Sequence, residues 1–104
     1  PYFSTDTTAA LRALEIGADV LIKATKVDGV YDRDPVRYPE AVFFAELDYD
    51  EVLSRNLKVM DASAIALCRD NGLEIRVMNI NVPEKLRGLL MGEDIGSRVW
   101  AGGG

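Results

Sequence analysis

The sequence has no histidine, a single cysteine at position 68 and only four prolines in 104 residues. Without His the usual general base near neutral pH is missing, together with His-metal sites and Ser-His or Cys-His nucleophile pairs, so hydrolytic triads are excluded. One Cys closes no internal disulfide, and Cys68 lies in an apolar helical pattern. That usage fits a reducing compartment and sets the expectation of a cytoplasmic location. Apolar runs are too short for a membrane span and no segment resembles a signal peptide, so no membrane partner is expected. Cations are also scarce: 12 Lys and Arg stand against 17 Asp and Glu, a net charge of −5, and no stripe of basic residues forms. Nucleic acid is therefore not an expected partner, although small anions remain open through local sites. Neither common glycine-rich phosphate loop is present, neither G-x-G-x-x-G nor G-x-x-x-x-G-K-[ST].

What remains is 48% apolar and 28% charged, the composition of one globular domain or part of one. A chain of this length buries roughly two thirds of its unfolded surface, enough for one core and not for two. It opens on Pro1 with no Met, which sets the expectation that it starts inside a longer polypeptide.

Along the chain, residues 5–18 place Ala10, Leu11, Leu14 and Ala18 at helical spacing, with Gly17 as the stop. Residues 19–24 form a short apolar run without alternation, which predicts a strand buried on both faces. Residues 25–40 contain Gly29, Pro35 and Pro39 and read as a long loop, ordered by Val27, Val30 and Tyr31. Asp48 and Glu51 have capping-box spacing and open a short helix through Val52 and Leu53. A longer helix follows, with Met60, Ala64, Leu67 and Cys68 on one face, Asp61 as a cap or first-turn acid and Asn71-Gly72 as the stop. Residues 74–80 read as a strand, residues 83–90 as a helix opened by Pro83, residues 97–100 as a closing strand and the final glycines as a frayed tail. Strands separated by helices predict an α/β fold, a mostly parallel sheet with helices on its faces. Ligands then belong at the carboxyl ends of the strands, where Thr25 and the run from Asn79 to Asn81 lie.

Several residues there suit chemistry. Ser4, Thr5 and Asp6 stand where a helix begins, able either to cap it or to surround a phosphate bound by its free N–H groups. Lys23 and Lys26 flank Thr25 and either contact phosphate oxygens or extend into solvent. Tyr31 either stacks on a base or pins its loop. Asp28, Asp32 and Asp34 invite a calcium loop, but the spacing fails, because the sixth and twelfth positions from Asp28 hold Arg33 and Pro39. A solvated acidic turn is the plain alternative. Met60, Cys68 and Met78 read as core.

The run Lys23-Ala24-Thr25-Lys26-Val27-Asp28-Gly29-Val30-Tyr31-Asp32-Arg33-Asp34-Pro35 resembles the nucleotide-loop signature of the amino acid kinase superfamily. Leu57-Lys58-Val59-Met60-Asp61, Leu67-Cys68-Arg69-Asp70-Asn71 and Met91-Gly92-Glu93-Asp94-Ile95-Gly96 narrow the resemblance to the bacterial UMP kinases, over residues 1 to about 99. It implies the C-terminal, nucleotide-binding portion of an amino-acid-kinase-type three-layer fold. It also implies transfer of a phosphoryl group from ATP, carried with Mg2+, to UMP, giving UDP and ADP. A cytoplasmic homohexamer regulated by GTP and UTP is part of the same implication. Carried over by position, Pro1, Tyr2, Phe3, Ser4 and Thr5 match the segment that contacts UMP. Asp6 matches a catalytic acid near the transferred group, orienting lysines or magnesium. Thr25, Tyr31 and Asp34 match positions that bind ATP, and no metal ligand of the chain itself is implied. Absence of His is no obstacle, since phosphoryl transfer works by positioning and charge stabilisation. The family's lysine and glycines for the ATP phosphates do not occur in these residues, so the chain alone is expected not to catalyse transfer. Two alternatives stay open: another kinase of the superfamily acting on a carboxylate, and a noncatalytic segment that folds or assembles only.

Overall fold

Ser4 opens the first helix, α1 (Thr5–Glu15), its hydroxyl accepting the Thr7 N–H at 3.0 Å. The computed structural model describes residues 4–79, 81 and 96–103. The helix stops at Glu15, short of the expected Ala18, with Ile16 as cap and Gly17 following. Ala10 and Ala13 are its buried residues, whereas Leu11, expected on the buried face, is 37% exposed. Ala10, Leu14 and Ala18 pack on the core as expected, with Ala13 in the place of Leu11, and the helix lies against α3 and the first strand.

That strand, β1 (Val20–Thr25), pairs in parallel with β5 (Glu74–Asn79), from Val20 opposite Glu74 to Thr25 opposite Asn79. Between them run β2 (Val30–Tyr31), β3 (Phe43–Phe44), β4 (Glu46–Leu47), α2 (Tyr49–Ser54) and α3 (Ala62–Asn71). The last strand, β6 (Ser97–Val99), lies antiparallel to β5 and parallel to β4. The main sheet therefore has the order β1-β5-β6-β4 and is mixed but mostly parallel, while β2 and β3 form a separate antiparallel ribbon. The expected long loop carries only β2, and β3 lies beyond it; strands of two residues leave no periodic signal.

Caps account for the ends of α2 and α3. Asp48 and Glu51 form the expected capping box, each side chain accepting the other's backbone N–H. Asp61 caps α3 by accepting the Ala64 N–H at 3.0 Å, and Gly72 closes it in the left-handed conformation, φ 64°. A side chain at Gly72 would strain that turn.

The core gathers on one face of the sheet. Leu47, Ile75, Val77 and Val99 point into it from the strands, meeting Ala10 and Ala13 of α1, Val52 of α2 and Ile65 and Cys68 of α3. Tyr49 is buried beside them and its hydroxyl donates to the Leu73 carbonyl at 2.6 Å. Burial pushes the Cys68 thiol up to about 11, so it stays protonated and unreactive. Met60 packs against this core from its margin, but Met78 is half-buried on the opposite face beside Ala24.

On that opposite face the expectation of a fully buried β1 fails. Exposed and half-buried residues alternate along it, and Ile22 is 60% exposed. The reason is that the described helices pack only on the other side of the sheet. Nearer the centre the same face carries charge: Glu74 meets Arg76 at 3.0 Å and Arg98 at 2.9 Å. Arg98 in turn lies 3.6 Å over the Trp100 ring. The closing strand ends at Val99, one residue short of expectation, and Gly103 is not frayed but donates to the Trp100 carbonyl at 3.1 Å. The helix expected at residues 83–90 lies outside the described residues. None of the described helices is long and apolar enough to cross a membrane.

Candidate functional site

Strands β1 and β5 end side by side at Thr25 and Asn79. Beyond them the chain must turn off the sheet, and these two side chains hold the turn. The Thr25 hydroxyl accepts the Val27 N–H at 2.9 Å. The Asn79 amide donates to the Lys26 carbonyl at 3.4 Å and to Asp28 Oδ1 at 3.3 Å.

The ribbon follows. Val30 is fully buried, and Tyr31 meets Phe43 edge to face with ring centroids 5.5 Å apart. Burial, assisted by the Asp28 charge, raises the Tyr31 phenol above its ordinary value, so it remains neutral and able to donate. Asp32 Oδ1 accepts the Val42 N–H at 2.7 Å, and that hydrogen bond leads the causes holding its carboxyl below the usual range. Asp34 Oδ1 accepts the Val36 N–H at 2.9 Å, making a tight turn around Pro35. The three acids of this loop thus each hold a different donor, and among the described residues no group of three or more His, Cys, Asp or Glu is arranged to hold a metal ion.

A cavity of about 460 Å3 opens between this loop and the segment joining α2 to α3. Val27, Tyr31, Asp34 and Pro35 line one side, and Asn56 and Lys58 line the other. Tyr31 and Asp34, two of the three residues expected to bind ATP, are brought together here. Thr25 does not line the cavity; it braces Val27, which does. Asn56 and Lys58 escape the reading of the sequence as site residues. Lys58 sits in a motif that carries the resemblance, but its lining the same cavity as Tyr31 depends on the path between α2 and α3, including the left-handed Asn56 at φ 51°.

A second group lies at the start of α1. Asp6 Oδ1 accepts from Lys23 Nζ at 2.9 Å, and Asp6 Oδ2 accepts the Asp61 N–H at 3.0 Å. Burial on its own opposes the charged form of Asp6, but the Lys23 and Asp61 hydrogen bonds and the Lys23 charge outweigh it and lower the pKa. Lys23 is therefore paired, while Lys26 extends into solvent. Ser4 serves as the α1 cap, and Thr5 is the first helical residue. Pro1, Tyr2 and Phe3, expected to contact UMP, lie outside the described residues.

An α/β sheet with a cavity beside the loop that leaves a strand's carboxyl end has the arrangement in which open α/β folds take their ligands. The family model for the amino acid kinase family matches residues 1–79, and the chain belongs to that family. It is 55% identical over 102 residues to the uridylate kinase of Methylococcus capsulatus, covering 98% of this chain and 43% of that relative. The UMP kinase of Bacillus anthracis superposes with a TM-score of 0.88 at 33% identity, over 98% of this chain and 42% of that one. The Ureaplasma parvum UMP kinase superposes at 0.84 with 39% identity, over 96% of this chain and 43% of that one. The chain thus spans less than half the length of the relatives it matches.

Proposed function

We propose that this chain is the C-terminal, nucleotide-binding part of a UMP kinase, which transfers the γ-phosphoryl group of MgATP to UMP and releases UDP and ADP. The observation that carries the reading is the meeting of Tyr31, Asp34 and Lys58 around one cavity at the loop that leaves β1. The 55% identity to a uridylate kinase supports the choice of acceptor. In this reading the Tyr31 ring packs against the ATP base. Thr25 and Asp34 hold the loop that surrounds it, and Lys58 faces the phosphates. Residues Pro1, Tyr2, Phe3, Ser4 and Thr5 take UMP at the amino end of α1, where free N–H groups favour an anion. Asp6 fixes the Lys23 ammonium toward the transferred group, and its second oxygen ties that pair to the start of α3. Charge spread over the phosphoryl oxygens in the transition state is then met by a cation already in place. Magnesium would enter as part of the MgATP substrate and supply positive charge to its phosphates.

Two measurements test this. MgATP at about 100 times its Kd should stabilise the chain by about 2.7 kcal/mol in urea unfolding. A chimaera joining this chain to the part of the Methylococcus capsulatus kinase it does not match should form UDP from ATP and UMP. Transfer to a carboxylate in preference to UMP, or no MgATP binding, overturns the reading. The same reading carries a cytoplasmic homohexamer responsive to GTP and UTP, which light scattering and effector titration of the chimaera test.

A further inference from the structure

Ser97, the first residue of β6, has a fully buried side chain. A buried hydroxyl is unfavourable unless its bonds are made, and an apolar residue would ordinarily serve a strand interior better. Here both bonds are made, and to one place. Ser97 Oγ accepts the Val30 N–H at 2.7 Å and donates to the Phe44 carbonyl at 2.5 Å. Val30 and Phe44 face one another across the β2–β3 ribbon. A single hydroxyl therefore ties both strands of the ribbon, at one level, to the main sheet.

The ribbon needs such a tie, because strands of two residues do not hold their own position. Its tethered residues adjoin the aromatic pair directly: Tyr31 follows Val30, and Phe43 precedes Phe44. Gly29 makes room for the tie, since a side chain there would run into Ser97 Oγ and the Phe43 ring. Ser97 also faces Val77 on β5, two residues before Asn79, which holds the start of the same loop. Neighbouring strands thus anchor the loop at its entrance and at its ribbon.

We propose that Ser97 is a positioning residue for nucleotide binding, its hydroxyl setting the height of the ribbon on the sheet and so the placement of Tyr31 and Asp34 at the cavity. The proposal rests on the nucleotide reading of that cavity. The test compares Ser97→Ala, Ser97→Thr and Val99→Ala in this chain, by amide hydrogen exchange and by calorimetric titration with MgATP. Val99→Ala empties core on the same strand and leaves both hydrogen bonds of the Ser97 hydroxyl in place. Ser97→Ala should speed exchange of the Val30 amide and raise the MgATP Kd, each by about tenfold. Ser97→Thr, which keeps the hydroxyl, should stay within about threefold of the wild type in both, and Val99→Ala should lower stability with MgATP affinity held within about twofold. Should Ser97→Ala not fold, Ser97→Cys, of nearly the same shape with a weaker donor, should show the same two changes at smaller size. Equal MgATP affinity in the wild type and the hydroxyl-free variant overturns the role of Ser97 alone, as does an equal loss in Val99→Ala. A wild-type chain that takes no MgATP overturns the nucleotide reading and this role with it, whatever the Val30 exchange rate.

Discussion

The Asp6 carboxylate and the Lys23 ammonium meet at 2.9 Å across 17 residues of chain, while the other Asp6 oxygen receives the Asp61 N–H. One side chain therefore joins the first turn of α1, the middle of β1 and the start of α3. Replacement by Asn keeps an oxygen for Asp61 but removes the charge that holds Lys23. Asp6→Asn should lower kcat for UDP formation in the chimaera by about 100-fold, the scale on which single charge-stabilising groups act. The pair is partly exposed, with side chains 39% and 22% accessible. Its loss should therefore lower stability by only about 0.2–1 kcal/mol. A variant whose lost activity is matched by its unfolded fraction would reduce Asp6 to a helix-terminus acid.

Acid should act on this fold through Asp32 of the loop, whose carboxyl the Val42 N–H holds below its ordinary value, and through Asp6 and Glu74. For the latter two, burial opposes ionisation but is outweighed, by Lys23 and Asp61 at Asp6 and by Arg98 and Arg76 at Glu74, so each folded pKa lies below its ordinary value of 3.8 or 4.5. A depressed pKa contributes stability that is complete above the unfolded value and lost as pH falls through the folded one. Urea midpoints should therefore be level near neutral pH and fall below about pH 4.5. The double variant Asp6→Asn, Glu74→Gln should start lower and lose less over that acid range; an unchanged slope would contradict the assignment.

Asp34 has two jobs to separate, the turn at Val36 and the cavity wall. Asp34→Ala should raise the KM for MgATP in the chimaera by about tenfold while leaving the KM for UMP within about twofold. Asp34→Asn retains an oxygen for the Val36 N–H and should fall between the wild type and Asp34→Ala. Equal changes in both KM values would place Asp34 outside the ATP site.

Gly29 is held small by its neighbours. A methyl group there would overlap Ser97 Oγ and the Phe43 ring, so Gly29→Ala should lower unfolding free energy by about 1–3 kcal/mol. Denaturant unfolding measures it, and adding Ser97→Ala to Gly29→Ala should recover part of the loss, because one of the two obstacles is then gone. No recovery would mean that Phe43 alone excludes the side chain.

Legibility in the sequence followed the range of the interactions. Asp48 and Glu51, Asp61 and Ala64, and the Gly72 stop each act within one helical turn, so their spacing alone placed α2 and α3. The loop motif around Val27 and Tyr31 was legible for the same reason, being contiguous in the chain. On α1 the spacing places Ala10, Leu14 and Ala18 correctly, but Leu11 and Ala13 both fit the stripe and only packing against α3 and β1 selects between them. The apolar run of β1 reads as buried on both faces, but such a run states only what can be buried, while the layers packed on the sheet decide what is.

For this protein, then, local chemistry determined the helix caps, the α/β alternation and the family motif, all written within a few residues of one another. Tertiary structure alone decided which distant groups meet: Asp6 with Lys23 and Asp61, Lys58 and Tyr31 at one cavity, and Ser97 with Val30, 67 residues away from it. The physical reason is that a hydrogen bond or ion pair is specified by position in space, and over such separations the sequence encodes position only through the packing of the whole core.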